Sequence, residues 1–239
     1  MFTKLLYTEV ERIDTMKILV LNGSPKPVSD TMHMTRAFLE GLKQQDEQEI
    51  DMIDVISKNI RPCRGCFLCW RYGNGKCIQN DDQNMILEKY AAADLVIWSF
   101  PLYCYGMPSH LKAVLDRIIP LVSMKMTEEN GIVRHVPIAD FSRIRHMVIS
   151  GCGFPQWEHN FDGLKLQCEN AFGNLTAVFV PETPLMNNPE AAPVVELKLK
   201  RFTEAGKEYA KFGMLNEETV RELETPMIPK NVYIKGVNG

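Results

Sequence analysis

The sequence lacks an excess of positive charge. Lys and Arg number 27 against 30 Asp and Glu, for a formal net charge of −3. Nucleic-acid binders gather basic residues into a stripe or patch, and no such stripe is present, so nucleic acid is not expected as a partner. No apolar run approaches the length that spans a bilayer, which speaks against a membrane partner. The opening segment, MFTKLLYTEVERIDTMK, is interrupted by Glu9, Glu11 and Asp14 and lacks the unbroken apolar stretch of a signal peptide. The five histidines show no metal-ligand spacing. Seven cysteines are an odd number, and four of them crowd between Cys63 and Cys77. A secreted disulfide framework spreads its cysteines along a shorter chain. The reading is therefore a reducing, cytoplasmic setting, with the cluster serving chemistry rather than stapling.

What is present is 239 residues of ordinary globular composition, 45% hydrophobic, enough for a sizeable core. From Lys17 the chain alternates. KILVLNGS is a short apolar run fit for a buried strand. TMHMTRAFLEGLKQQ follows, with Met34, Phe38 and Leu42 on one helical face. EIDMIDV, DLVIWSF, RHMVISGCGF and TAVFVP read as four further strands, separated by helical patterns at about 83–92, from Pro108 onward, and at FDGLKLQCENAFGN. Five strands alternating with helices predict an α/β fold: a five-stranded parallel sheet covered by helices on both faces. Residues 57–80 carry no period and read as a long loop, and 123–143 as an insertion of mixed character. Residues 190–224 read as two polar helices, and PMIPKNVYIKGVNG as an extended tail. The expected division is an N-terminal extension at 1–15, the α/β unit at 16–180 with its cysteine loop, and a C-terminal helical extension and tail at 181–239.

In a parallel sheet, ligands gather beyond the carboxyl ends of the strands. The first strand ends in NGSPKPVSDT. Ser24, Ser29 and Thr31 supply hydroxyls there, and the helix opening near Thr31 supplies free N–H groups, a combination suited to a phosphate. The same hydroxyls also serve as helix caps, so both readings stand. The segment is neither a Walker A loop nor GxGxxG. The third strand ends in FPLYCYGMPSHLK, where backbone N–H groups, Tyr103, Tyr105 and Gly106 suit a flat ring. The fourth ends in SGCGFP, whose glycines admit close backbone approach. Asp81 and Asp82 read as helix caps, His33 and His110 as surface residues, Trp70 as packing for its loop, and Cys168 as core.

ILVLNGSPKPVSDT, PLYCYGMPSHLK and SGCG together resemble the flavodoxin-like NAD(P)H-dependent FMN reductases, over roughly residues 16–180. The resemblance implies a flavodoxin-like fold and an oxidoreductase that binds FMN and takes NAD(P)H as co-substrate. It implies hydride transfer to the flavin and on to a flavin, quinone or other acceptor, in a homo-oligomer, commonly a dimer or tetramer. Carried over residue by residue, Ser24, Ser29, Asp30 and Thr31 would face the phosphate. Pro101, Leu102, Tyr103, Cys104, Tyr105 and Gly106 would line the ring, and Ser150, Gly151, Cys152 and Gly153 would complete the pocket. The family often has Asn at the position of Asp30; a carboxylate beside a phosphate is unfavourable unless it turns away and offers only its N–H. No catalytic acid or base is required of the protein, and none is assigned.

Cys63, Cys66, Cys69 and Cys77 lie where the iron–sulfur flavoprotein branch of that family carries its compact cysteine motif, which implies a [4Fe–4S] cluster. The last spacing is longer than expected for that branch, and CRGCFLCW…GKCIQNDD is similar as well to reductase relatives without an established cluster. Four thiols also suit zinc or a reversible disulfide device, and these alternatives stay open. Two other functions are carried forward: a non-enzymatic electron carrier and a flavin-free binding module.

Overall fold

The computed structural model describes residues 15–129, 131–139, 141 and 143–239. All but Thr15 of the expected N-terminal extension lies outside the described residues. Along the chain run β1 (Met16–Asn22), α1 (Asp30–Lys43), β2 (Gln48–Asp54), α2 (Leu68–Tyr72), α3 (Gln83–Ala92) and β3 (Leu95–Pro101). Then come α4 (Ser109–Asp116), β4 (Val122–Glu129), β5 (Ile132–Pro137), β6 (Arg145–Gly151), α5 (Asp162–Ala171) and β7 (Leu175–Val180). Last are α6 (Ala192–Phe212), α7 (Glu217–Glu224) and α8 (Lys230–Asn238).

The main sheet has five strands in the order β2-β1-β3-β6-β7, all neighbours parallel. β3 sits at its centre and is apolar on both faces: Leu95, Val96, Ile97, Trp98 and Phe100 are all fully buried. That explains why the strand reads as a continuous run rather than an alternation. Leu19, Leu21, Val96, Trp98 and Val148 face one layer with α3, α4 and α5. Ile18, Val20, Ile97 and Ile149 face the other, with α1 and α6. Each such side chain contributes roughly 1.5–3 kcal/mol through burial.

α6 belongs to the body of the fold. A Cβ at Gly206 would lie 2.1 Å from the Phe38 carbonyl oxygen, and one at Gly41 would lie 1.9 Å from that of Thr203. The two glycines thus let α1 and α6 touch backbone to backbone. One apolar core runs from β1 and α1 through β7 to Phe202, Tyr209 and Leu223, across the expected boundary at 180/181. Among the described residues, no helix is long and apolar enough to cross a membrane.

Three local expectations change. The mixed insertion at 123–143 contains the antiparallel hairpin β4–β5, whose strands carry charges and exposed methionines that blur the alternation. The tail is helical rather than extended. Val232 and Ile234 favour extended chain locally and Gly236 weakens a helix, but Pro229 stands just before the helix and burial of Tyr233 holds α8 down. The cysteine loop holds the short helix α2, set off by Phe67 and Gly73, both at left-handed φ (52° and 60°).

Candidate active site

Because β1, β3 and β6 are neighbours and parallel, the loops that follow them meet at one sheet edge. They are tied there by backbone hydrogen bonds: Gly23 N–H donates to Ser99 O at 2.8 Å, and Leu102 N–H to Gly151 O at 2.7 Å. A ring nitrogen of His110 lies 2.9 Å from Gly23 O, so α4 braces the first loop. His110 is therefore part of the support of this edge and not a free surface residue. A Cβ at Gly23 would lie 2.6 Å from Leu111 Cδ2 and 3.0 Å from Phe100 Cβ, so the absence of a side chain lets α4 and β3 pack close against this turn.

In the first loop Ser24, Ser29, Asp30 and Thr31 are all buried. Ser29 is the N-cap of α1: its hydroxyl accepts Met32 N–H at 3.2 Å and lies 3.1 Å from Thr31 Oγ1. Ser24 Oγ accepts Lys26 N–H at 3.3 Å, and Ser24 N–H donates to Asn22 Oδ1 at 3.0 Å. The Asp30 carboxylate is engaged by Lys26 Nζ at 2.7 Å and by Asn187 Nδ2, which leaves its backbone N–H as the group offered to an anion. The first-turn N–H groups of α1 have no carbonyl within the helix, and the dipole favours negative charge there. Sequence reasoning missed Lys26, the cation nearest this loop, and Asn187, which also lies 3.0 Å from a ring nitrogen of His33.

In the second loop Tyr103 and Gly106 exchange two backbone hydrogen bonds of 3.0 Å. The residues between them, Cys104 and Tyr105, both have left-handed φ, 47° and 61°. This is a two-residue hairpin turn of the kind that favours Asn-Gly; placing Cys and Tyr there costs of order 1–3 kcal/mol of strain each. Among the described residues no acceptor reaches the N–H groups of Cys104 and Tyr105. Pro101 and Leu102 are half-buried beneath this turn. Tyr105 stacks on Phe154 of the third loop, ring centroids 6.2 Å apart at 13°, and both rings are exposed.

In the third loop Ser150 is fully buried within β6 and its hydroxyl has no partner among the described residues. It supports the sheet rather than facing the edge. Gly151 packs against Thr183, since a Cβ there would meet Thr183 Cγ2 at 2.3 Å. Cys152 donates its N–H to Val180 O at 3.0 Å, and burial pushes its thiol up to about 11, so it is a neutral thiol at pH 7. Gly153 remains open for close approach. The groups free to meet a ligand are thus the N–H groups of Gly153 and Phe154.

The four cysteines line one cavity together with Phe67, Gln79, Arg117, Ile119 and Pro120. Cys63 and Cys66 are exposed, Cys77 half-buried and Cys69 buried. Burial raises the pKa of Cys69, and neighbouring Cys77 and Cys66 add to that. Arg117 is 1% exposed and forms a bidentate pair with the buried Asp81 carboxylate, at 2.6 and 2.9 Å. Burial opposes the charge on Arg117, but Asp81 and Cys77 beside it hold its pKa above the usual value. Its Nε has no partner among the described residues. Asp81 also accepts Arg61 N–H at 3.0 Å, and Asp82 accepts Asn59 N–H at 2.7 Å. Asp81 caps α3 as expected, accepting Gln83 N–H at 3.3 Å, and both aspartates also tie the base of the cysteine loop. Trp70 packs, as expected: it stacks on Phe67 at 5.1 Å and donates from Nε1 to Ile119 O at 3.2 Å. Cys168 is core, its thiol pushed up by burial to about 12. Among the described residues no group of three or more His, Cys, Asp or Glu side chains is placed to hold a metal ion.

The cysteine cavity and the ring loop lie at opposite ends of α4. That helix opens at Ser109, just past the ring loop, and Arg117 follows its last residue. The path between them is therefore on the order of 13 Å.

A five-stranded parallel sheet in this order, with helices on both faces, defines a flavodoxin-like fold. The family described as NADPH-dependent FMN reductase matches residues 16–140, just over half of the chain, and the chain belongs to it. An iron–sulfur flavoprotein of Methanocaldococcus jannaschii is 35% identical over 106 residues, 44% of this chain and 53% of that protein. One of Methanosarcina thermophila is 33% identical over 117 residues, 49% and 60% of the two chains. An FMN-dependent NADH:quinone oxidoreductase of Brevibacillus brevis is 26% identical over 111 residues, 42% and 53%. The chain thus spans about half the length of the curated relatives it matches. An FMN-dependent NADH-azoreductase of Bacillus anthracis, solved with FMN, shares the fold with TM-score 0.59 at 19% identity, covering 82% of this chain and all of that one. A second azoreductase structure from that species superposes with TM-score 0.61 at 13% identity, covering 81% and 99%.

Proposed function

We propose that the chain binds FMN across the three loops of this sheet edge and acts as an NAD(P)H-dependent oxidoreductase toward a flavin, quinone or other acceptor. The observation that carries the reading is the convergence of those loops, each keeping backbone donors that meet no acceptor among the described residues. The donor set fits: Ser24, Ser29, Thr31 and the Asp30 N–H would hold the phosphate, with the Lys26 ammonium offsetting the Asp30 carboxylate. The N–H groups of Cys104, Tyr105, Gly153 and Phe154 would meet the polar edge of the ring. When bound, FMN supplies the hydride chemistry, accepting two electrons from nicotinamide and releasing them to the acceptor. The protein's share is positioning. The strained Cys104–Tyr105 turn fixes its two amides before the cofactor arrives, so little ordering remains to be done on binding. The exposed, parallel rings of Tyr105 and Phe154 offer an apolar platform beside those amides for a planar partner.

An NAD(P)H oxidation assay with added FMN and a quinone tests this reading. Turnover that needs all three components supports it. Binding of FMN with negligible nicotinamide oxidation would instead identify an electron carrier, and failure to take up FMN a flavin-free binding module.

A second reading concerns the cysteines. Four thiols and a buried guanidinium around one cavity are a donor set that fits a [4Fe–4S] cluster, and such a cluster would supply one-electron steps. The test is protein made without air, which should hold about four irons and four sulfides per chain. Cys66→Ser should then lose the iron and keep FMN. Zero metal with altered thiol reactivity would leave a thiol device.

A further inference from the structure

The segment after α7 lies beyond the residues matched to the family, yet it reaches the third loop. Lys198, 3% exposed, donates from Nζ to Leu223 O at 2.9 Å and also to Thr225 O. Glu182 is wholly buried just past β7, with left-handed φ of 59°. Its Oε2 accepts Met227 N–H at 2.6 Å and Ile228 N–H at 3.1 Å. Burial raises the Glu182 pKa, and those two N–H groups pull against it. So anchored, the chain enters α8, where Lys230 bonds Gln156 and Tyr233 donates its hydroxyl to Gly153 O at 2.9 Å. Tyr233 is 6% exposed.

The Gly153 carbonyl shares a planar, trans peptide with Phe154 N–H, so fixing one end fixes the other, pointing the opposite way. On either side the backbone is also held. Cys152 O accepts Thr183 N–H at 3.0 Å, and Phe154 O accepts Glu182 N–H at 2.9 Å. The Gly153–Phe154 peptide is held instead from α8, by the Tyr233 hydroxyl.

We infer that Tyr233 is a positioning residue for the flavin ring: its hydroxyl sets the Gly153–Phe154 peptide, and with it the amide this loop presents to the ring. The inference rests on the FMN reading above. If α8 merely packed there, phenylalanine would serve as well as tyrosine, because the ring burial is the same.

Tyr233→Phe separates the two. Wild type and variant are titrated with FMN and with riboflavin, and melted without flavin. The expected result is a loss of about fivefold in affinity, the worth of one neutral hydrogen bond. The loss should be equal for the two ligands, because the phosphate loop is untouched, with a shifted visible spectrum of the bound flavin and a Tm lowered by no more than about 2–4 °C. Amide exchange in the flavin-free variant should be faster at residues 152–157. Unchanged affinities and exchange, or a loss confined to FMN, would overturn the inference. Wild-type protein that binds no FMN would overturn the functional reading itself, and that is seen before the variant is compared.

Discussion

Replacing Ser24 with Ala and Thr31 with Val tests the phosphate cradle while sparing the fold. Ser29 is left in place because it caps α1 through Met32 N–H, and its loss would cost about 1 kcal/mol of helix stability. Thr31 is 1% exposed, so the isosteric Val keeps the packing. Ser24 gives up only an acceptor for Lys26 N–H, a group near solvent. Each hydroxyl removed is one donor to a charged group, worth about 1.5–3 kcal/mol. Together they should weaken FMN by about 3–6 kcal/mol, on the order of a hundred- to ten-thousandfold in Kd. Riboflavin lacks the phosphate and should bind the double variant as it binds wild type. Quenching of flavin fluorescence reads both affinities. An equal loss for the two ligands would refute the assignment of this loop to the phosphate.

Asp81→Asn leaves the buried Arg117 charge without its partner and should cost about 3–5 kcal/mol in urea unfolding; Asp81→Asn with Arg117→Met should cost less than the single change, and a single-variant loss under about 1 kcal/mol would contradict the pair's role. His146 is buried against Phe172 and Tyr90, and burial lowers its pKa to about 4. The folded state therefore keeps it neutral while the unfolded chain binds a proton below about pH 6.5, so stability falls as pH drops from there toward 4. Between pH 7 and 5 that is about 2 kcal/mol, and His146→Phe should flatten the slope; an unchanged slope would refute it. Val232, Ile234 and Val237 on α8 and Met124, Met126, Ile132 and Val133 on the β4–β5 hairpin are exposed apolar residues. A two-stranded hairpin is marginal alone, so we expect association, with light scattering giving about twice 27.3 kDa rather than that mass itself.

The sheet was legible because its strands are buried on both faces, and runs such as LVIWSF announce themselves without any partner being known. The loops after them were legible for the same reason: each follows a run that ends abruptly. The roles of single atoms were not. Ser150 reads like its neighbours in SGCG, yet strand parity turns its hydroxyl into the layer under α3, α4 and α5. The Asp81–Arg117 pair joins residues 36 apart in sequence, and no local pattern signals it. Tyr233 sits among β-branched residues that favour extended chain, and its contact with Gly153, 80 residues away, helps hold that stretch as a helix over the site. The hint available in the sequence was an aromatic residue in a tail otherwise short of reasons to fold.

If this sheet edge holds FMN poised for reduction by nicotinamide, the bound flavin must report it. That is tested most directly by adding FMN to the purified chain without air, removing the excess, and recording the visible spectrum before and after NADPH or NADH. About one flavin per chain should be retained, its yellow absorbance bleached by one of the two nucleotides and restored by a quinone. Protein that stays colourless, or retains FMN that neither nucleotide bleaches, would contradict it.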